Sequence, residues 1–407
     1  MVKRGSTTCL AVITAVALVC LMSGCGRAHS ALPGPPIVVQ LPDVAPDVWA
    51  SRGHVVERHP MLPPLDDRDD PVVGESWRAV YTSVSGTDGG VRQVAGTFFT
   101  PSGVPPQDGW PVVSLAHGTT GIANGCGPST DPNLRGYWPD IRMFLAQGYA
   151  VAFTDYEGLG GTGLHPYLEP RTEAFNITDA VRALREISPA VSPRWAAYGA
   201  SQGGQAAWAA DELNAFYGDG LELVGSVAVS PAANVSGLVD LASSGAMTRD
   251  QQEYYPMVIA GLERYNAELS GLLHRRTADY DNAFADCGAY VPPESLRGIP
   301  LLPRRFIPRT LEDRNRLRGA LRGIALPQRP LDRPMLVVNT MQDKIVLPEW
   351  VEDATIRSCD LGGQIEYVEV PHADHAELTE DVTRMVITWI ADRFAGAPAA
   401  SKCPVPR

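Results

Sequence analysis

A short segment, Gly199-Ala200-Ser201-Gln202-Gly203-Gly204, constrains the fold of this 407-residue chain more strongly than any other. An apolar stretch precedes it at residues 195–198, and an alanine-rich stretch follows at residues 203–217. Glycines two positions either side of a serine suit a sharp strand-to-helix turn, because larger side chains would crowd its strained backbone. The segment therefore predicts a turn that exposes the Ser201 hydroxyl at a helix N-terminus, where developing negative charge is favoured.

Short apolar segments alternate with helical patterns over most of the chain. This alternation predicts an α/β fold with a mostly parallel sheet and helices on both faces. The predicted strands are residues 76–85, 91–100, 111–116, 150–153, 195–198, 224–229, 334–339 and 364–370. The first two flank Gly-Thr-Asp-Gly-Gly and form a predicted hairpin. The predicted helices are residues 173–187, 203–217 and 378–394, with a further short helix near Leu145.

The strand pattern stops between Ser230 and Pro330. Leucines recur there at roughly helical spacing, for example at Leu238, Leu241 and Leu262. We expect residues 232–330 to form a helical cap over the carboxyl ends of the strands, where ligands bind in such sheets.

A serine hydroxyl becomes a nucleophile only beside a base and an acid that orients the base. On this kind of turn the chain order is serine, acid, histidine. Three histidines follow Ser201, and of these His372 and His375 come directly after the last predicted strand. We predict that His375 is the base, with His372 as the alternative, and that Asp343, just beyond the preceding strand, is the acid.

The negative charge that forms on an attacked carbonyl oxygen needs backbone donors. The N–H of Gln202, directly after the serine, is the first predicted donor. The second should come from the loop after the third strand, Ala116-His117-Gly118-Thr119-Thr120-Gly121. We predict Thr120 for this role, with Thr119 as the alternative, and a structural role for His117.

The N-terminus has the pattern of an export signal. Lys3 and Arg4 precede an apolar run of 14 residues, Cys9 to Met22, which is too short to span a bilayer. The run ends in Met22-Ser23-Gly24-Cys25, which resembles a bacterial lipobox except at Met22. We predict that residues 1–24 are removed and that Cys25 is lipidated. The alternative is an ordinary signal cut near Ala28 or Ala31, which would give a secreted protein.

Cysteine usage agrees with export. Four cysteines remain outside the signal and the lipidation site, an even number that favours disulfides in an exported chain. Of the three pairings available, we favour Cys126–Cys287 with Cys359–Cys403.

Charge and composition exclude other classes of protein. The formal net charge is −12 and no basic stretch is long enough to indicate nucleic-acid binding. The cysteine and histidine spacings do not match a metal site, so we expect neither metal nor organic cofactor. The sequence indicates no obligatory protein partner.

Several motifs together resemble the secretory lipase family, the lipase-A-like α/β hydrolases. The resemblance extends over residues 75–395. The matching motifs are Arg78 to Pro101, Ala116 to Gly121 with Cys126-x-Pro-Ser129, Asp155 to Gly160 with His165-Pro-Tyr167, Tyr198 to Gly204, Gln342 to Val346 and the His375 loop. The resemblance implies an α/β-hydrolase fold with a helical cap, and triad roles for Ser201, Asp343 and His375. The Pro-rich, lipidated N-terminal region departs from the family.

We therefore expect an extracytoplasmic serine lipase or carboxylesterase that is anchored to the membrane through its N-terminal lipid. Two alternatives stay open: an envelope acyltransferase with the same triad, and an inactive lipid-binding lipoprotein of this fold. The expected divisions are a signal peptide (1–24), a lipid-anchored Pro-rich tether (25–71), a core in two parts (72–231 and 331–397), the cap (232–330) and a C-terminal tail (398–407).

Overall fold

The computed structural model describes residues 31–61, 71–269, 287 and 306–405. These residues contain one nine-stranded sheet. Its strands are β1 (Val55–Pro60), β2 (Val73–Val84), β3 (Val91–Pro101), β4 (Trp110–Ala116), β5 (Ala150–Thr154), β6 (Val191–Ala200), β7 (Glu222–Val229), β8 (Met335–Thr340) and β9 (Ile365–Val370). Their order across the sheet is β1-β2-β3-β5-β4-β6-β7-β8-β9. The pairings are antiparallel from β1 to β5 and parallel from β5 to β9.

Helices cover both faces of this sheet. They are α1 (Pro46–Ala50), α2 (Trp138–Ala146), α3 (Pro170–Ile187), α4 (Gln202–Tyr217), α5 (Leu238–Ser244), α6 (Arg249–Tyr265), α7 (Leu311–Gly323), α8 (Pro348–Asp360) and α9 (Glu380–Phe394). Neighbouring residues of β4 point to opposite faces, so that Val112 packs in the core beneath α3, α4 and α8, and Val113 packs in the core beneath α2 and α9. Burial on both faces explains why the central strands are continuously apolar.

The predicted strands and helices are present, with ends that differ by a few residues. Three elements outside the expected cap were not predicted, namely β1, α1 and α8. The strand β1 lies at the edge of the sheet and is mostly exposed, so its sequence lacks the alternation that marks a half-buried strand. The helix α8 also escaped prediction, although its Trp350 and Val351 are buried.

Residues 31–60 fell within the expected Pro-rich tether, and parts of this segment pack on the body. Trp49 in α1 contacts the rings of Phe216 and Tyr217. Farther upstream, the carbonyl of Ala31 accepts a 3.1 Å hydrogen bond from Trp350 Nε1. These contacts join residues far apart in sequence, so no local pattern marks them. The predicted signal peptide and Cys25 lie outside the described residues.

The described elements between β7 and β8 are all helical. This part of the expected cap contains α5, α6 and α7, and the remainder, residues 270–286 and 288–305 with His274, lies outside the described residues. The N-terminus of α6 is held to the loop after β8, since Thr248 Oγ1 donates to the carbonyl of Lys344 at 2.6 Å. Arg264 donates to the carbonyl of Ile122 at 2.5 Å. The insertion is thereby joined to two loops at the carboxyl edge of the sheet.

Two disulfides have the connectivity favoured from the sequence. Cys126 pairs with Cys287, and this bond joins the loop after β4 to the insertion. Cys359 pairs with Cys403, which fastens the C-terminal tail beside β9. Lys402 forms a further parallel bridge with Glu366. Within the described ranges, no helix combines the length and the apolar character needed to span a bilayer.

The buried carboxyl of Asp211 gives a testable pH dependence of stability. Its Oδ1 accepts from the N–H groups of Asp332 (3.0 Å) and Arg333 (2.8 Å), and its Oδ2 accepts from Ser226 Oγ (2.6 Å). Burial raises the pKa of Asp211 to about 7 despite these donors. Because the native state keeps this proton where the unfolded chain has lost it, the free energy of unfolding should fall as pH rises from about 4 to about 7.

The variant Asp211→Asn should lose this component of the pH dependence. An asparagine Oδ1 can accept both N–H groups, and its amide can donate to Ser226 Oγ, so the network survives without a titrating proton. Urea unfolding of both proteins at pH 4.5 and pH 7.5 measures the difference. Equal pH dependence of the two proteins would contradict the prediction.

Candidate active site

Ser201 lies on the turn between β6 and α4, with φ 57° and ψ −116°. Its N–H donates to the carbonyl of Val229 at 2.9 Å, so the next strand holds the strained residue in place. A Cβ atom on Gly203 would lie 1.9 Å from the carbonyl oxygen of Ala116, and one on Gly199 would lie 2.3 Å from that of Gly203. Only glycine fits at these two positions, as the segment predicted.

Asp343 and His375 form a close pair. His375 Nδ1 lies 2.6 Å from Asp343 Oδ2, and the side chain of Asp343 is only 1% exposed. The other oxygen, Oδ1, accepts from the N–H groups of Ile345 (2.8 Å) and Val346 (3.0 Å). Because Asp343 is held by the backbone of its own loop, its Oδ2 is fixed as the acceptor for His375 Nδ1.

Ser230 connects the serine turn with the histidine loop. It directly follows Val229, the acceptor of the Ser201 N–H, and its Oγ accepts from the N–H of Ala376 at 3.4 Å. A second contact, 2.7 Å between Ser230 Oγ and Thr340 Oγ1, reaches the end of β8. All three predicted residues therefore lie at the carboxyl edge of the sheet. Among the described hydrogen bonds, His375 pairs with Asp343 and none joins Ser201 to His375.

Of the two histidines considered for the base, only His375 contacts a carboxylate in the described structure. His372 is exposed on the same loop. His117 is fully buried, and its two ring nitrogens face the carbonyls of Gly118 (2.6 Å) and Asp155 (3.2 Å). Burial lowers the pKa of His117 to about 4, so it stays neutral in a structural role.

The predicted oxyanion donors are Gln202, the first residue of α4, and Thr120, in the loop after β4. Gln202 is fully buried, and neither its N–H nor that of Thr120 donates to an acceptor in the described part of the chain. The N–H of Gly118 is occupied, because it donates to the Tyr137 hydroxyl at 2.7 Å. Thr119 uses its hydroxyl in a 2.6 Å contact with the hydroxyl of Tyr167. Unoccupied N–H groups are what an oxyanion requires.

Sequence reasoning missed a buried group of polar residues directly behind this turn. Glu173 and His165 both contact the side chain of Gln202. His165 belongs to the His-Pro-Tyr motif, which carried the resemblance but had no assigned role. No sequence pattern indicated a functional role for Glu173, because it occupies an ordinary position near the start of a predicted helix. No group of metal-binding side chains occurs among the residues described.

Comparison with known proteins gives consistent matches. A family model described as "Secretory lipase" matches residues 140–287 and 296–402. A "probable inactive lipase" of Mycobacterium tuberculosis is 26% identical over an alignment of 332 residues, which covers 74% of this chain and 70% of that protein.

Two solved structures share the fold. Lipase A of Candida antarctica in its closed state has a TM-score of 0.68 at 17% identity, over 91% of each chain. The rice cell wall degrading esterase LipA of Xanthomonas oryzae has a TM-score of 0.64 at 18% identity, over 84% of this chain and 97% of that one. At such identity the likeness concerns the fold, and it confirms the predicted α/β-hydrolase class.

Proposed function

Because the chain belongs to the secretory lipase family, we propose that it is an exported serine hydrolase of carboxylic esters, a lipase or esterase. The observation that carries the proposal is the 2.6 Å contact between His375 Nδ1 and Asp343 Oδ2, on the sheet edge that also holds Ser201. A strained serine and a carboxylate-bound histidine at one edge are the parts that acyl transfer needs.

In the proposed reaction, Ser201 Oγ attacks the ester carbonyl and His375 Nε2 takes its proton. His375 Nδ1 donates to Asp343, so its Nε2 is the nitrogen free to accept. His375 then returns the proton to the leaving alcohol, and water resolves the acyl-enzyme by the same route in reverse. The absence of a hydrogen bond between Ser201 and His375 is compatible with this role, because catalytic contacts often tighten only when substrate binds.

The N–H groups of Gln202 and Thr120 are the proposed oxyanion donors. Both lack a described acceptor, and the helix α4 begins at Gln202, so its N-terminus adds favourable potential. Donors of this kind act on charge that develops only in the transition state, and they therefore raise kcat more than they lower KM.

We place this activity on the extracytoplasmic side of the cell membrane, with Cys25 as the lipid anchor. The two disulfides support export, because such bonds persist in oxidising compartments. Mass spectrometry of the protein extracted from membranes tests the anchor: an N-terminal diacylated Cys25 supports it, and a soluble product that begins near residue 28 or 31 contradicts it.

Hydrolysis of p-nitrophenyl esters from two to sixteen carbons by the full chain in detergent tests the reaction class. We expect turnover, with the preferred acyl length separating esterase from lipase. A fluorophosphonate probe should label Ser201, identified by peptide mass spectrometry. A folded protein that neither hydrolyses an ester nor accepts the probe would contradict the proposal. That result would favour the inactive lipid-binding alternative; the Mycobacterium relative is itself named a probable inactive lipase.

A further inference from the structure

The side chain of Gln202 takes part in a hydrogen-bond network that the proposed mechanism does not use. Its Nε2 lies 2.8 Å from Glu173 Oε1 and 3.0 Å from His165 Nε2. All three side chains are fully buried. A buried polar group is costly unless it is paired, so these contacts determine where the Gln202 side chain lies.

The orientation of His165 follows from its other nitrogen. Nδ1 lies 2.8 Å from the carbonyl of Glu157, and a carbonyl can only accept, so Nδ1 carries the proton. The ring is neutral, because burial lowers the pKa of His165 to about 3. Its Nε2 is therefore an acceptor, and the Gln202 amide donates one hydrogen to His165 and the other to Glu173.

Glu173 accepts twice through the same oxygen. Oε1 takes the hydrogen of Gln202 Nε2 and, at 3.1 Å, the N–H of Leu168. Oε2 is buried and has no hydrogen-bond partner in the described structure. Burial raises the pKa of Glu173 well above its ordinary value, which favours the neutral form of this carboxyl.

The loop that carries His165 also contacts the other side of the predicted oxyanion hole. Tyr167 places its hydroxyl 2.6 Å from Thr119 Oγ1, next to Thr120. Tyr156, earlier in the same loop, donates from its hydroxyl to the carbonyl of His117 at 3.0 Å. The loop thus contacts both segments that supply the proposed donors.

We infer that Glu173 and His165 are positioning residues, which hold Gln202 through its side-chain amide and thereby aim its N–H at the oxyanion. The inference deepens the proposed function and rests on it. Neither residue touches the reacting atoms. Their effect on the reaction passes through Gln202, whose backbone and side chain are fixed together.

Removal of the carboxyl in Glu173→Ala should lower kcat for a short p-nitrophenyl ester about 10- to 100-fold, with KM changed less than about threefold. Loss of an oxyanion donor itself costs about 100- to 1,000-fold, and a misplaced donor should cost less. Glu173→Gln should retain kcat within about threefold of wild type, with the same pH profile, because its Oε1 can accept both N–H groups and it carries no titrating proton.

Asp211→Ala is the matched control, since it removes another buried carboxyl from the body without touching the site. It should be destabilised to a similar degree but keep the kcat of wild type.

His165→Asn tests the network from the other side and should lower kcat, as Glu173→Ala does. The asparagine amide can still donate to the Glu157 carbonyl, but it leaves Gln202 without its acceptor. If Glu173→Ala does not fold, the kcat of His165→Asn tests the positioning role in its place.

Three results separate the failure of this inference from that of the proposed function. If Ser201→Ala abolishes hydrolysis while folded Glu173→Ala and His165→Asn keep wild-type kcat, the positioning role is wrong and the hydrolase stands. The positioning role is also wrong, and the hydrolase again stands, if the kcat of Glu173→Gln is as low as that of Glu173→Ala. If Ser201→Ala itself hydrolyses esters at the wild-type rate, the proposed function fails and this inference fails with it.

Discussion

Ser201→Ala is expected to lose ester hydrolysis by about 10,000-fold or more. The turn gives the serine a strained backbone that exposes its hydroxyl, on the edge of the sheet that also holds the Asp343–His375 pair. Removal of any one triad member costs about 10,000-fold or more in serine hydrolases, because the members act as a unit. His375→Ala should therefore be similarly slow, and the double variant no slower than either alone.

His372→Ala is the matched control for the histidine. It removes an imidazole from the same loop, three residues before His375, at an exposed position. It should keep at least half of the wild-type kcat. Loss of activity in His372→Ala with retention in His375→Ala would reverse the assignment of the base, and full activity in Ser201→Ala would overturn the nucleophile.

Gly203→Ala should destabilise the protein by about 3 kcal/mol or more, if it folds at all, and abolish activity. The added Cβ would lie 1.9 Å from the carbonyl oxygen of Ala116 and 2.6 Å from its carbonyl carbon. Both are backbone atoms of a central strand, so relief requires that α4 move away from the sheet. Overpacking of a rigid core usually costs 1–3 kcal/mol, and here the obstacle is main chain.

Gly319→Ala is the control for this change. Gly319 lies inside α7, and a Cβ there would meet no described atom within 4 Å. Alanine in an open helical position should stabilise by up to about 1 kcal/mol. Thermal and urea unfolding of the two variants beside wild type measure the difference. A Gly203→Ala protein as stable as Gly319→Ala would show that the turn tolerates a side chain.

Much of the sheet and the candidate site could be read from local patterns. Apolar runs marked the buried strands β4 to β8, and the glycines around Ser201 marked its turn. The order of serine, acid and histidine then pointed to Asp343 and His375, and the structure brings these two together. The secretory lipase resemblance is confirmed by the family match.

Three other features of the fold were not predicted. The edge strand β1 is mostly exposed on both faces and pairs with β2, so its residues follow no alternating pattern. Helix α8 was missed even though it is amphipathic. Residues 31–40 lie along the body through hydrogen bonds to partners almost 300 positions away, such as Val39 with Gln328.

The sequence by itself determined the fold class, the turn at Ser201 and which residues were available as acid and base, because periodicity, small residues and chain order are local properties. The tertiary structure decided that His375 and not His372 meets Asp343, and that Gln202 is held by Glu173 and His165. These contacts join residues that are 29 to 37 positions apart, and only folding of the intervening elements fixes their distances. The raised pKa of Glu173 likewise exists only after burial, since the carboxyl of a solvated glutamate keeps its ordinary pKa.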